Sequence, residues 1–487
     1  MHTFLPRVFA ERAGKGERVG SGSTALLSIP TRSVIIAGSL AFGATAGIAW
    51  RKKFKSKKRL RLPKLPVQLG KDVIRVLRRV DPALGNLAET VSQVWDLLQT
   101  ELEERRALDS SQAEKIGQSG TLLLHLFALG RLKCLQGAGF ELPGEEVPLV
   151  SDRQRLAEGL RFTRMAVASY GANLLALVGL LQLRDAAWPT DGAKRDEVAA
   201  TKYLQIEGEQ VLACGTLSKE AQETKAPDRF KPWWILLEDD GELILSIRGS
   251  ANVADIATDL ACSNCEFLHG FAHEGMAGAV LSVWEEAQPQ VLKAIDAHDY
   301  KRFVVCGHSL GGAVSLLLGM KLRAESTLPL EVRAFAAGPP PAFQGKVRED
   351  LEEGLMSVIN RCDPVPHLSL DAALRMVLAA ENLAEAGLSW QQTLSLVIGS
   401  SDVSNPIFDD LLPDHLDVGI APLRIPGQAM WLVDAVAGRQ VLAVDLAERL
   451  DDFTRELPEI SVAQSALDHV MSTYVYNMDK AYKRRES

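Results

Sequence analysis

The stretch CGHSLGG at residues 306–312 decides the fold of this 487-residue chain. The apolar run RFVVC that leads into it is typical of a buried parallel strand, and the run AVSLLLGM that follows has the composition of a buried helix. Gly-x-Ser-x-Gly between a strand and a helix forms a tight turn that presents the serine hydroxyl at the carboxyl edge of a sheet. The stretch therefore predicts an α/β fold in which Ser309 is a nucleophile.

A serine nucleophile also needs donors for the oxyanion that forms during its attack, and backbone N–H groups can supply them. Leu310 follows the nucleophile and begins the helix, whose positive end faces the site. Ser250 ends the strand pattern LILSIRGS at residues 243–250 in a Gly-Ser turn. We predict that the N–H groups of Leu310 and Ser250 form an oxyanion hole.

The acid and the base of such a site follow the serine along the chain. Asp363 lies in the loop RCDPVP, directly after the strand pattern MSVIN at residues 356–360. Strand ends are where the acids of such sheets lie, so Asp363 is the predicted triad acid. His415 and His469 both follow it, and from the local sequence either histidine qualifies as the base. His308 is next to the nucleophile, and we expect it to point away from the site.

Beyond the elbow, strand signals begin near Tyr203, and the runs on either side of Asp239-Asp240-Gly241 read as a hairpin. Strands and helices then alternate through about residue 343, which predicts a mostly parallel sheet with helices on both faces. The predicted organisation has five parts: a basic segment at 1–66, a helical region at 67–150, a catalytic domain at 151–480, a helical insertion within it at 370–405, and a tail at 481–487.

The charge of the chain is unevenly distributed. Residues 1–66 carry 14 Lys and Arg against 2 acidic residues, whereas the rest carries 40 basic and 60 acidic residues. A basic head on an acidic body argues against nucleic acid as a partner. Six cysteines show no disulfide pattern, which favours a reducing compartment. Cys262 and Cys265 have no second ligand pair, so no metal and no cofactor are expected, with calcium stimulation left open.

The basic head contains a candidate transmembrane helix. Residues 33–50, SVIIAGSLAFGATAGIAW, form an uncharged run of 18 residues, which is just long enough to span a bilayer. The basic cluster RKKFKSKKRLR follows at 51–61, and the positive-inside rule then places the catalytic domain on the cytosolic side of a single-pass protein. An organelle-targeting or cleaved signal peptide is the alternative interpretation of residues 1–50. Nothing in the sequence indicates an oligomeric state.

Several segments, in order, resemble the class 3 lipase family and, within it, the sn-1-specific diacylglycerol lipase branch. The resemblance covers about 155–480 and is carried by Arg248-Gly249-Ser250, Asp255-x-x-Thr258-Asp259, His273-Glu274-Gly275, the elbow at 306–312, Ala337-Gly338-Pro339-Pro340-Pro341, Asp363-Pro364-Val365-Pro366, and Asp468-His469 with Tyr474.

This resemblance implies an α/β-hydrolase fold and favours His469 over His415 as the base. It implies a membrane-associated serine lipase that hydrolyses an acyl ester of diacylglycerol to monoacylglycerol and a free fatty acid. Hydrolysis of phospholipid, galactolipid or acyl thioester is the alternative on the same fold, and an inactive membrane scaffold is a remote one. Residues 251–271 and the insertion at 370–405 are the lid candidates.

Overall fold

The structure is a computed structural model that describes residues 148–182, 189, 191–215, 232–250, 264–345, 349–369, 371–372, 422–434, 440–446, 449–455 and 467–484. The predicted membrane segment at 33–50, almost all of the helical region at 67–150, nearly all of the insertion at 370–405, and His415 lie outside these residues. No helix within the described ranges combines the length and the hydropathy needed to cross a bilayer.

The strands in chain order are β1 (Val211–Cys214), β2 (Trp234–Asp239), β3 (Glu242–Ile247), β4 (Asn264–Phe267), β5 (Gly270–His273), β6 (Arg302–His308), β7 (Glu331–Ala337), β8 (Phe343–Gln344), β9 (Leu355–Asn360), β10 (Gln428–Asp434) and β11 (Val441–Asp445). The α-helices are α1 (Arg153–Ala168), α2 (Gly171–Leu177), α3 (Gly192–Leu204), α4 (Glu274–Ala297), α5 (Leu310–Glu325), α6 (Glu349–Glu352), α7 (Leu450–Arg455) and α8 (Met471–Lys483). Short 3-10 helices lie at Gly208–Gln210 and Val365–His367.

Eight of the strands form one sheet in the order β1-β2-β3-β6-β7-β9-β10-β11. The five central strands from β3 to β10 are mutually parallel, whereas β1, β2 and β11 pair antiparallel at the two ends. The predicted mostly parallel sheet is thus confirmed, and the chain has an α/β-hydrolase fold. The parallel strands end at the same edge, so the loops after β3, β6 and β9 are brought together there.

Alternating side chains along the strands build a core on each face of the sheet. Phe303 and Val305 of β6 join the core formed with α4 and α5, whereas Val304 and Cys306 join the core formed with α1, α2, α3 and α8. A strand that is apolar at every position is required when both faces are covered by helices. This burial explains why RFVVC reads as a continuous apolar run.

The predicted hairpin is confirmed, and one predicted strand start is wrong. β2 and β3 pair antiparallel from Trp234 opposite Ile247 to Asp239 opposite Glu242, around a turn in which Asp240 and Gly241 have positive φ. By contrast, Tyr203 lies in the last turn of α3, and the first strand starts at residue 211. Ala199, Ala200 and Tyr203 are buried on one face at helical spacing, which decides in favour of a helix.

A second, three-stranded antiparallel sheet in the order β4-β5-β8 lies next to the start of α4. Its strands β4 and β5 take up residues 264–273, which include the end of the lid candidate at 251–271. The first part of that candidate, residues 251–263, lies outside the described residues, as does most of 370–405.

Candidate active site

Ser309 occupies the turn between β6 and α5, with φ of 60° and ψ of −132° as the N-cap residue of the helix. A positive φ is uncommon for a residue with a side chain and is retained when the surrounding structure holds it. The N–H group of Ser309 donates to the carbonyl of Ala337 on β7 at 2.8 Å. The turn is a nucleophile elbow in its geometry, as the sequence predicts.

The turn is tight enough to require glycine at Gly311. A Cβ atom there would lie 2.3 Å from the carbonyl oxygen of Ile247 at the end of β3, which is closer than real contacts allow. The absence of a side chain lets the first turn of α5 lie against the end of the neighbouring strand. This close approach brings Ser309 beside the loop that follows β3.

Three of the predicted residues meet in one hydrogen-bonded array. The Nε2 atom of His469 lies 2.9 Å from Ser309 Oγ, and its Nδ1 atom lies 2.8 and 2.9 Å from the two carboxylate oxygens of Asp363. All three residues are buried, with Asp363 completely inaccessible. They come from the turn after β6, the loop after β9 and the turn before α8, at the same edge of the sheet.

The chemistry of these partners fixes the positions of the protons. A carboxylate can only accept, so the proton of a neutral His469 belongs on Nδ1, facing Asp363. The lone pair of Nε2 is then available to accept the proton of the Ser309 hydroxyl. The arrangement can therefore activate the serine as a nucleophile and return the proton in a later step.

Asp363 is held by two further donors. The backbone N–H of Val365 donates to its Oδ1 at 2.9 Å, and the hydroxyl of Tyr474 on α8 donates to its Oδ2. Burial, together with the nearby carboxylate, raises the pKa of Tyr474 well above its ordinary value, so the hydroxyl keeps its proton. Gly338 has φ of 57°, and a Cβ there would lie 2.5 Å from the Tyr474 hydroxyl, so a side chain would displace this pair.

The two residues predicted for the oxyanion hole lie on either side of the nucleophile. Leu310 is the first residue of α5, so its N–H group has no acceptor within the helix. Ser250 follows Gly249, at whose α-carbon a Cβ would lie 3.2 Å from the Cβ of Ser309. The loop after β3 therefore passes directly beside the serine. The role of both N–H groups stays a prediction.

Residues 244–373 match the class 3 lipase family. The matched range contains the strand before the candidate oxyanion loop, the elbow and Asp363. Over this range, the chain is similar to the class 3 lipase family.

Curated relatives match the chain over limited ranges. A lipase of Rhizopus niveus is 29% identical over 195 residues, which cover 38% of this chain and 49% of that protein. A secreted mono- and diacylglycerol lipase of Fusarium solani is 33% identical over 102 residues, 20% of this chain and 29% of that protein. A chloroplastic phospholipase A1 of Arabidopsis thaliana is 32% identical over 101 residues, 20% of this chain and 14% of that protein. The chain thus spans about half or less of each relative.

Among solved structures, the lipase of Rhizopus microsporus var. chinensis aligns with 68% of this chain and 92% of its own, at 16% identity and a TM-score of 0.39.

The turn that carries His469 is fixed by buried amides on β9 and α8. The side-chain amide of Asn360 donates to the carbonyl of Asp468 at 2.7 Å, and the amide of Asn477 donates to Asn360 Oδ1 at 2.8 Å. Asn360 also donates its backbone N–H to the Tyr474 hydroxyl at 3.2 Å. The acid and the base are therefore tied to one strand end, although no sequence motif indicated Asn360 or Asn477.

The expectation that His308 points away from the site is wrong. Its ring lies against the ring of His469, with 4.7 Å between the centroids, and it is enclosed by Tyr170 and Tyr474. The physical reason is the alternation along β6, which turns His308 toward the α1 and α8 side of the sheet, where the histidine turn lies. Tyr170 lies just after α1, and no motif in the sequence indicated that it would contact the site.

No group of three or more His, Cys, Asp or Glu side chains within the described residues has the arrangement of a metal site. Cys262 lies outside those residues, whereas Cys265 is a free, half-buried cysteine on β4. The arrangement at Ser309 combines a serine, a base and an acid in hydrogen-bond contact, which suits acyl transfer.

Proposed function

We propose that this chain is a serine lipase that hydrolyses an acyl ester of diacylglycerol to monoacylglycerol and a free fatty acid. The observation that carries the proposal is the buried hydrogen-bonded array from Ser309 through His469 to Asp363. The match of residues 244–373 to the class 3 lipase family supports ester hydrolysis, and the match to a mono- and diacylglycerol lipase of Fusarium solani supports the glycerolipid substrate.

In the proposed reaction, Ser309 Oγ attacks the ester carbonyl carbon while His469 Nε2 takes its proton. Asp363 orients the imidazole through Nδ1 and stabilises its positive charge. The N–H groups of Leu310 and Ser250 hold the negative oxygen of the tetrahedral intermediate. The C–O bond to glycerol then breaks, and His469 returns the proton to the leaving alcohol. Water attacks the acyl-serine by the same route and releases the fatty acid.

The proposal includes association with a membrane. It rests on the uncharged run at 33–50 and the basic cluster at 51–61, both of which lie outside the described residues. A basic cluster of this kind attracts anionic headgroups by about 1 kcal/mol for each basic residue near the surface. An anchored lipase would find its substrate in the same bilayer, with the catalytic domain on the cytosolic side.

Hydrolysis of a phospholipid is the second candidate activity. The match to a chloroplastic phospholipase A1 of Arabidopsis thaliana favours it, at 32% identity over 101 residues. The same triad chemistry would serve, because the head group of the lipid does not take part in the acyl transfer. The two candidates differ only in the lipid that is turned over.

Fatty-acid release by the full chain in mixed micelles tests both candidates. Wild type, Ser309→Ala and the matched control Ser315→Ala are each given diacylglycerol, phosphatidylcholine and galactolipid. Ser315 is a buried serine of the same helix, whose hydroxyl donates to the carbonyl of Gly311. We expect diacylglycerol turnover by wild type and Ser315→Ala, and none by Ser309→Ala. Turnover of phosphatidylcholine alone would replace the first candidate by the second, and turnover that persists in Ser309→Ala would overturn both.

A further inference from the structure

His308 is a second buried histidine in the site, and the reaction proposed above does not use it. Its side chain lies between the hydroxyl of Tyr170 and the main chain of His469. Tyr170 and His308 are each 2% exposed, so water does not compete for their polar atoms. Most buried polar atoms in proteins are hydrogen-bonded, and both ring nitrogens of His308 lie within hydrogen-bond distance of a partner.

The two partners of His308 determine its tautomer. Its Nε2 atom lies 3.0 Å from the carbonyl oxygen of His469, which can only accept, so Nε2 carries the proton. Its Nδ1 atom lies 2.8 Å from the hydroxyl oxygen of Tyr170, and in a neutral ring Nδ1 can only accept. Tyr170 therefore donates to His308, and His308 donates to the backbone of the base.

Tyr170 extends these contacts to the other side of the nucleophile. Its hydroxyl lies against Gly249, where a Cβ would lie 2.5 Å from the hydroxyl oxygen. Gly249 directly precedes Ser250, the predicted oxyanion donor. One continuous path thus joins the loop after β3 to the turn that carries His469.

We propose that His308 is a positioning residue, whose neutral ring fixes the main chain of His469 and couples it through Tyr170 to the loop at Gly249–Ser250. The inference rests on the proposed function, since it assigns a role relative to the Ser309–His469 pair. An imidazole suits this place because it offers one donor and one acceptor on opposite sides of a rigid ring. An aliphatic side chain would remove the nearest acceptor of the Tyr170 hydroxyl, leaving only the His308 carbonyl at 3.5 Å, and would remove the ring N–H that donates to the buried His469 carbonyl.

The position also requires a side chain that stays uncharged during the reaction. The ring of His469, 4.7 Å away, becomes positive when it takes the serine proton. A positive His308 would repel that charge across a buried contact. Burial, and then the charge of His469, hold the pKa of His308 well below its ordinary value, so the ring remains neutral through the cycle.

The test is the rate at which a fluorophosphonate ester modifies Ser309 in the full chain. The variants are Tyr170→Phe, His308→Gln and His308→Leu. Gln keeps an N–H donor near the position of Nε2, whereas Leu keeps neither group. Tyr203→Phe is the matched control, because Tyr203 is a buried tyrosine of α3, a helix that packs on α1 and β1. The maximal rate and the half-saturating probe concentration are measured separately, with the thermal midpoint of each protein.

We expect Tyr170→Phe and His308→Gln to lower the maximal rate about tenfold each, and His308→Leu about a hundredfold, with little change in half-saturation. Tyr203→Phe should react as wild type does. The double variant Tyr170→Phe with His308→Leu should be no slower than His308→Leu, because both changes break the same path. The recovery of rate from Leu to Gln separates positioning from a loss of packing.

Equal maximal rates in wild type, Tyr170→Phe and His308→Gln would overturn the inference and leave the proposed function intact. Additive effects of the Tyr170 and His308 changes would also overturn it, since the two residues would then act independently. A wild-type chain that the probe does not modify would overturn the proposed function and this inference together. If His308→Leu fails to fold, the other two single variants decide the question.

Discussion

At the scale of single residues, the site depends on side chains whose partners lie far away in sequence. The hydroxyl of Ser309, the ring of His469 and the carboxylate of Asp363 are each useless for acyl transfer alone. Together they form a hydrogen-bonded array in which the proton moves between Ser309 and His469, while the fully buried carboxylate of Asp363 orients the imidazole. The donors on Asp363 come from Val365 and Tyr474, which fix the direction of that carboxylate.

Asp363→Asn should lower the rate of ester hydrolysis by about 10³–10⁴-fold. The side-chain amide of asparagine has one accepting oxygen and one donating NH2 group. The NH2 group can donate to Nδ1 of His469, which favours the tautomer with its proton on Nε2 and leaves Nε2 unable to act as the base. Asp434→Asn is the control, since Asp434 is a half-exposed acid on the adjacent strand β10 that pairs with Arg361. Initial rates of fatty-acid release measure the effect. Asp363→Asn within tenfold of the control would contradict the role given to Asp363.

His308 should also make the stability of the protein depend on pH. The folded chain holds its ring neutral, with a lowered pKa, whereas the unfolded chain binds a proton below about pH 6.5. The unfolded state then binds more protons, so the free energy of unfolding falls by up to about 1.4 kcal/mol per pH unit as pH drops below that value. His308→Gln removes this contribution.

Urea unfolding of wild type and His308→Gln at pH 8 and pH 5 measures the effect. We expect the stability advantage of wild type to shrink at pH 5, because the variant has no proton to bind at this position. A difference in free energy of unfolding that stays constant between the two pH values would contradict a neutral buried His308.

The sequence predicts the nucleophile and the acid better than the groups around them. Ser309 and Asp363 lie in local patterns, a Gly-x-Ser-x-Gly turn and an Asp-Pro loop after a strand, and the structure brings both to the edge of the sheet. His469 was separable from His415 only through resemblance to a family. Tyr170, Asn360 and His308 act through contacts more than 100 residues away, which no local pattern encodes.

At the scale of elements, the strand–elbow–helix unit of β6 and α5 is the most constrained part of the fold. The unit joins an apolar strand to an apolar helix. In the turn between them, the backbone at Gly311 lies in contact with the backbone at the end of β3. Such unambiguous patterns make these elements predictable from the sequence. The error at Tyr203 arose because a short amphipathic helix and a half-buried strand both contain isolated aromatic and apolar residues.

Gly311→Ala should destabilise the protein by about 1–3 kcal/mol and slow the modification of Ser309. The added Cβ would meet the backbone of Ile247 and Arg248, which cannot rotate aside as a side chain can. Gly278→Ala is the matched control, because no atom lies within 4 Å of a Cβ at this position of α4. The control should gain up to about 1 kcal/mol from reduced chain entropy.

Thermal unfolding and fluorophosphonate labelling of the two variants measure these effects. Equal midpoints and labelling rates for Gly311→Ala and Gly278→Ala would show that α5 can move away from β3 without harm to the elbow. Glycine would then not be required at position 311.

At the scale of the whole molecule, the sequence combines a basic head at residues 1–66 with an acidic body. In the described part of the body, one hydrophobic core lies on each face of the eight-stranded sheet, and the site lies at one edge of that sheet. The alternation of strands and helices predicted this architecture, because each element has to bury an apolar face. The alternation alone could not predict which strands are neighbours in the sheet. For example, β6 lies between β3 and β7, although β4, β5 and α4 separate β3 from β6 along the chain.

The full chain should remain with membranes after an alkaline carbonate wash, and Leu40→Arg with Ala44→Arg should release it. Each arginine near the middle of the run at 33–50 costs about 2.5–3.5 kcal/mol in a bilayer. Leu26→Arg with Leu27→Arg is the control, because it adds the same charge upstream of the run. Release of wild type by the wash, or equal retention of both variants, would contradict an anchor at 33–50.

Mass-spectrometric mapping of the fluorophosphonate adduct on the full chain is the most direct test of Ser309 as the nucleophile and His469 as its base. We predict one modified serine, Ser309, and loss of the adduct when His469 is replaced by alanine. An adduct on another serine, or modification of Ser309 that is as fast without His469, would contradict the assignment of this pair as nucleophile and base.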